Sequence, residues 1–325
     1  MTRTVRRARR LLRHTLLLAL PLTALCTLSG CTAQGSADAA SGTTAATAVP
    51  TTPSPSATVQ VGPPGVLFDS FRYTGPQDPA LAAHGWEVRT DGGGPGIQDT
   101  WTTDGATFPE TADAQGGRAM QVRLTTDGTP AGTRQTEVGR TRGEFVNGTL
   151  AARVFFTDRP AGNGRDGDHI NECFYAISPG PSTPKYSELD FEYMPNGGWG
   201  AVGARLDTTS WRSSTAGDRD TRDTKRSLAG WHTMMITADN GKVTYSMDGT
   251  NLFTSDGKSY PREPLSIRFS SWLIDLPASV TGTRTWDTKV NWVYYQADKA
   301  VPLAEVKRAV DGLYSADIAF VDNIS

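Results

Sequence analysis

The heptapeptide Ser187–Tyr193, SELDFEY, sets Glu188, Asp190 and Glu192 on one side of an extended chain and Leu189, Phe191 and Tyr193 on the other, because strand side chains alternate. Three neighbouring carboxylates on one face repel one another, and Asp and Glu are poor strand formers. One reading is an ordinary half-exposed strand, although edge strands protect themselves with Lys more often than with a carboxylate ladder. A second is a cation site, since three carboxylates suit Ca²⁺. A third is catalysis on a glycosidic bond, where retention needs one ionised and one protonated carboxyl roughly 5–5.5 Å apart. On a straight strand residues two apart are separated by about 6.7 Å and those four apart by about 13 Å. Glu188 and Glu192 can therefore cooperate only across a concave face, where crowding would also hold their pKa values apart.

The elements that must build such a face are short strand-like runs between about Val66 and Ala297: RAMQVRLTT, GTLAARVFFT, CFYAIS, SELDFEY, HTMMITA, KVTYSMDG, LSIRFSSWLI and VNWVYYQ, punctuated by Gly and Pro. They predict an all-β sandwich or barrel in one domain. TADNGKVTYSMDGT predicts a hairpin turning at Asn240-Gly241. In the tail, 298–325, Leu303, Val306, Val310 and Leu313 have helical spacing and predict a short helix lying on the sandwich. No internal repeat is visible.

Before this domain the chain has other duties. Residues 1–31 carry a basic stretch, a short apolar run broken by Pro21, and LSGC ending at Cys31, which together read as an export signal rather than a membrane span. LSGC resembles a bacterial lipobox, so Cys31 is the expected lipidation site; cleavage without lipid and an uncleaved anchor are the other readings. The doublets Arg6-Arg7 and Arg9-Arg10 hint at twin-arginine export. Residues 32–65, rich in Ala, Thr, Ser and Pro, read as a disordered tether. Of three cysteines, Cys26 leaves with the signal and Cys31 with the lipid, leaving Cys173 alone and no disulfide framework. A net charge of −2 gives no basic footprint for nucleic acid. The expected place is the outer side of the cell membrane, lipid-anchored or secreted, as a monomer.

Several familiar patterns fail. GNGRDG at Gly162–Gly167 matches the dinucleotide fingerprint in letters, but the following HINECFYAI reads as strand, so a surface loop is expected, with Asp166 and Asp168 as solvated loop acids. The four His, at 14, 84, 169 and 232, form no zinc motif, and no Gly-x-Ser-x-Gly elbow occurs.

PKYSELDFEY resembles the active-site strand of glycoside hydrolase family 16, whose signature is Glu-x-Asp-x-Glu, here in the unbulged form of bacterial lichenases. The similarity continues in order through EFVNGTLAARVFF, CFYAISPGPSTPKYSELDFEY, the hairpin GWHTMMITADNGKVTYSMDGT, IRFSSWLI and VNWVYYQ, over about residues 66–297. The resemblance implies a β-jelly roll of two curved antiparallel sheets, with the substrate cleft on the concave face, acting on a β-glucan-like polysaccharide. It implies Glu188 as nucleophile, Glu192 as general acid/base, and Asp190 hydrogen-bonded to the nucleophile. No cofactor is expected; a structural calcium stays open, because Asn291 stands where many members carry a calcium-binding Asp.

Sugar rings present apolar faces, so their clefts need aromatic platforms. Tyr186 and Trp272 match aromatic positions of the family, and Trp199 and Trp211, close after the acidic strand, belong either to the cleft or to the core. Phe174 and Tyr175 lie on opposite faces of one strand, so only one faces the cleft, and Phe174 is taken as that residue; Trp231 and Trp292 are read as core. YMPNGGWGAVGARLDTTSW departs from the lichenase pattern, and Ala238 replaces a usual Trp, which bears on substrate choice. A non-catalytic carbohydrate-binding lipoprotein and a transglycosylase are the alternatives.

Overall fold

The structure, a computed structural model, describes residues 62–324. The signal, Cys31 and nearly all of the tether fall outside the described residues.

Two antiparallel sheets face each other. The first has seven strands, in spatial order Asp218–Thr224, Arg205–Ser213, Glu188–Met194, Ile170–Ile177, Ser266–Leu273, Thr136–Arg140 and Trp86–Val88. The second, ten-stranded, contains Thr250–Ser255, Lys242–Met247, Gly230–Asp239, Gly148–Phe156 and the 14-residue strand Arg284–Ala297, which pairs along its length with Met120–Thr126 and Val66–Asp69. This is the all-β sandwich expected.

Alternation decides what fills the space between the sheets. Leu189, Phe191 and Tyr193 are fully buried there, and so are Phe174, Ala176 and Ile267 from the adjoining strands. Phe174 lies stacked between Phe269 at 5.1 Å and Phe191 at 6.1 Å, so three consecutive strands are tied by one aromatic row. Burying such rings supplies on the order of 2–3 kcal/mol each. It offsets the repulsion on the opposite face of the same strand.

The hairpin forms as expected: Asn240 and Gly241 both take positive φ, 48° and 73°, as a two-residue turn between right-twisted strands requires. The helix Leu303–Ser315 also forms, with Val306, Val310 and Leu313 buried against Phe68, Trp292 and Tyr294 on the outer face of the larger sheet. The tail is more than a helix: Phe320–Asp322 adds a strand beside Val66–Asp69. Trp292 is buried beneath that helix, whereas Trp231, expected in the core, is half-buried on the outer face, beside Phe155 and under Arg153. Its position in Gly230–Asp239 has the parity of Met235, not of the interior Met234 and Ile236.

GNGRDG is a loop leading into strand, as expected. Asp168 is not a solvated acid. It is fully buried and takes two hydrogen bonds of 2.7 Å from Arg284, with a third from the Trp286 indole at 2.9 Å. Removing one partner of such a buried pair would strand a charge.

Candidate active site

The side of the seven-stranded sheet turned away from the core is concave and holds a cleft of about 1390 Å³, lined by side chains from six of its seven strands. Glu188, Asp190 and Glu192 lie in its floor. Register fixes their neighbours: Trp211, Thr209 and Asp207 stand opposite them on one side, Ile177, Tyr175 and Cys173 on the other.

The three carboxyls differ in surroundings. Burial raises Glu188 to about 7, while the Tyr186 hydroxyl and a hydrogen bond with Asp190 oppose the rise by favouring its charge. Burial likewise raises Glu192 to about 7; a 2.6 Å hydrogen bond from Asn171 Nδ2 to its Oε1 opposes this, and the charge of Glu188 adds to it. Asp190, 3 % exposed and flanked by both, is raised well above the carboxylate range by burial and then by its two neighbours. The interaction between Asp190 and Glu188 favours the proton on Asp190 and the charge on Glu188. Tyr186 and Asp190 thus favour the charge of Glu188 and Asn171 that of Glu192, while a charged Glu188 favours the proton on Glu192.

Tyr186, expected as a sugar platform, is buried and directs its hydroxyl onto Glu188. Arg262 holds it there by donating to the carbonyls of Pro184, Tyr186 and Arg212. Trp272 lines the cleft, with Trp199, 59 % exposed, at 6.1 Å and tilted by 58°. Trp199 sits on the tip of the small hairpin Gly197–Gly198 and Ala201–Val202. Trp211 lines the cleft too, its indole favouring the charged form of Asp190.

Phe174 is not in the cleft. It belongs to the core, and Tyr175 takes the cleft position. The phenol of Tyr175 donates to Glu137 at 2.6 Å, and Arg268 donates to the other oxygen of Glu137 at 2.6 Å. Glu137, Arg268 and Asn171 were not legible as site residues, because strands distant in sequence bring them together. The hairpin of Arg205–Ser213 and Asp218–Thr224 was missed as well: its second strand, DRDTRDT, is polar on both faces and shows no alternating signal.

The residues around Asn291 do not fit a calcium ion. Asn291 Nδ2 donates to the carbonyls of Gln115 and Arg118 at 2.9 Å each, and its Oδ1 accepts from Gln115 N and from Arg153 Nη1, also at 2.9 Å. Amide hydrogens thus hold the carbonyls that a cation would need, and a guanidinium stands where its charge would be; Ca²⁺ asks for six to eight oxygens. Among the described residues no cluster of three or more His, Cys, Asp or Glu has metal-binding geometry.

The sequence matches no protein-family model and no curated protein. The fold does have relatives among solved structures. A GH16 protein of the Bacteroides ovatus mixed-linkage glucan PUL, in complex with the product G4G4G3G, aligns over 70 % of this chain and 98 % of its own, with a TM-score of 0.54 and 14 % identity. The Bacillus licheniformis β-glucanase aligns over 73 % and 99 %, with a TM-score of 0.51 and 16 % identity. A β-1,3-1,4-glucanase (lichenase) from a mouse hindgut metagenome aligns over 71 % and 98 %, with a TM-score of 0.50 and 17 % identity. The chain thus has the jelly-roll fold of these glucanases.

Proposed function

We propose that the protein is an exported, endo-acting glycoside hydrolase that cleaves a β-glucan-like polysaccharide with retention, by double displacement. The observation that carries this reading is geometric: Glu188 and Glu192 line one cleft, the Tyr186 hydroxyl donating to the first and Asn171 Nδ2 to the second at 2.6 Å.

In the first step Glu188 attacks the anomeric carbon and forms a glycosyl ester, while Glu192 gives its proton to the departing glycosidic oxygen. Asp190 and Tyr186, both donating to Glu188, keep the nucleophile ionised and oriented. Once esterified, Glu188 is neutral, the pKa of Glu192 falls, and it takes a proton from water. That water attacks the anomeric carbon, releases Glu188 and leaves the β configuration. Trp272 and Trp199 offer apolar faces for sugar rings beside the reacting bond.

Export by residues 1–31, a lipid on Cys31 and a tether over 32–65 would place the cleft outside the cell membrane, within reach of polymer. Residues 62–325 should release reducing ends from lichenan, laminarin or a related glucan, and Glu188→Gln should reduce this at least 10³-fold, within the range of about 10³–10⁶ seen when catalytic groups are removed. Full activity in Glu188→Gln would sink the assignment.

A further inference from the structure

We infer that the end of the cleft built by Arg205–Ser213 and Asp218–Thr224 is a subsite for a sugar bearing an anionic group, a carboxylate or a sulfate, and that Arg219 is its specificity-determining residue. The inference rests on the carbohydrate reading above and narrows its substrate class.

Four arginines line the cleft, and three are engaged. Arg89 pairs with Asp91 at 3.2 Å and Glu137 at 3.7 Å, Arg268 with Glu137 at 2.6 Å, and Arg205 with Asp207 at 2.6 Å and Asp223 at 3.8 Å. Arg219 is exposed in the cleft and, among the described residues, has neither an ion-pair nor a hydrogen-bond partner. Its guanidinium lies 4.5 Å from the centre of the Trp211 ring, and Trp211 is the cross-strand partner of both Arg219 and Glu188. The stack holds a planar fork of donors in place before any ligand arrives, so little freedom is lost on binding.

The nearest acid on the same face of its strand, Asp223, is already held by Lys225 at 3.3 Å. A guanidinium has donors only, and the acceptors that match it best are planar or multi-oxygen anions taken two bonds at a time. The unneutralised cation also favours the charged form of Glu192, against the needs of an acid. A substrate anion on Arg219 would offset that influence and favour the proton on Glu192 as the chain binds.

Affinity electrophoresis tests this in the Glu188→Gln background, where polymer is not digested, with lichenan, its carboxylated (oxidised) form and its sulfated form in the gel. The parent should be retarded more by at least one anionic form than by lichenan, and salt should erode the difference. Arg219→Gln should lower the anionic-to-neutral affinity ratio about 10-fold, the effect of one charge-assisted bond. Arg222→Gln, a control on the opposite face of the same strand over Phe253, should leave the ratio unchanged. Equal retardation by all three polymers, or equal loss in both variants, overturns the inference. Binding is read without turnover: neutral glucan hydrolysed with no anionic preference refutes this inference alone, and absence of hydrolysis refutes only the enzymatic reading.

Discussion

Asn171 reaches from the neighbouring strand and donates to Oε1 of Glu192 at 2.6 Å, from a position with no solvent exposure. The bond orients the carboxyl and favours its charged form. Asn171→Ala should therefore raise the pKa of Glu192, moving the basic limb of the pH–rate profile upward, and lower kcat about 10-fold through lost orientation. A fall in kcat with an unmoved basic limb would assign Asn171 a packing role only.

Tyr186 does for Glu188 what Asn171 does for its partner. Removing its hydroxyl in Tyr186→Phe takes away the hydrogen bond that most favours the charge of Glu188, the proposed nucleophile. The acidic limb should then shift to higher pH, with about a 10-fold loss in kcat/KM on the acid side and a smaller one on the alkaline side. If Tyr186 were only a sugar platform, KM would rise and the limb would stay in place.

Glu172 predicts a pH dependence of stability that does not involve the reaction. It faces the space between the sheets, fully buried, where burial pushes it up to about 8 from an ordinary 4.5. Between those values the folded protein binds more protons than the unfolded chain, so stability falls as pH rises through that window. Glu172→Gln removes the linkage: the variant should gain on the parent from about pH 4.5 to 8, by ~1–3 kcal/mol in denaturant midpoints converted to free energy. A constant difference across that range would contradict the burial account.

The amide network at Asn291 predicts indifference to calcium. EDTA and added Ca²⁺ should leave Tm unchanged, whereas Asn291→Asp, which replaces two donor contacts to carbonyls by repulsion, should cost about 2–4 kcal/mol. Calcium-dependent recovery of that variant is not expected, because Arg153 already sits on the acceptor side.

Much of this was readable before any fold was known, and the reasons differ by residue. The period-two pattern of SELDFEY fixed both the interior row and the carboxylate row of one strand, and Asn240-Gly241 fixed a turn by its conformational demand alone. Phe174 and Tyr175 could not be separated, because that strand is apolar on both faces: one side meets the other sheet, the other an aromatic cleft wall. Asp168 looked like a loop acid since its partner, Arg284, lies 116 residues away. Asn171, Glu137 and Arg268 carry no local signal; only strand register gathers them.

In the proposed reaction Glu188 forms a covalent glycosyl ester while Glu192 supplies the proton. An activated 2-deoxy-2-fluoro β-oligoglucoside, incubated with residues 62–325 and followed by peptide mass spectrometry, tests it directly. The adduct should appear on the peptide containing Ser187–Tyr193, at Glu188, with burst release of the leaving group, and should be absent from Glu188→Gln. An adduct on Glu192, or steady turnover to a product of inverted configuration, would contradict it.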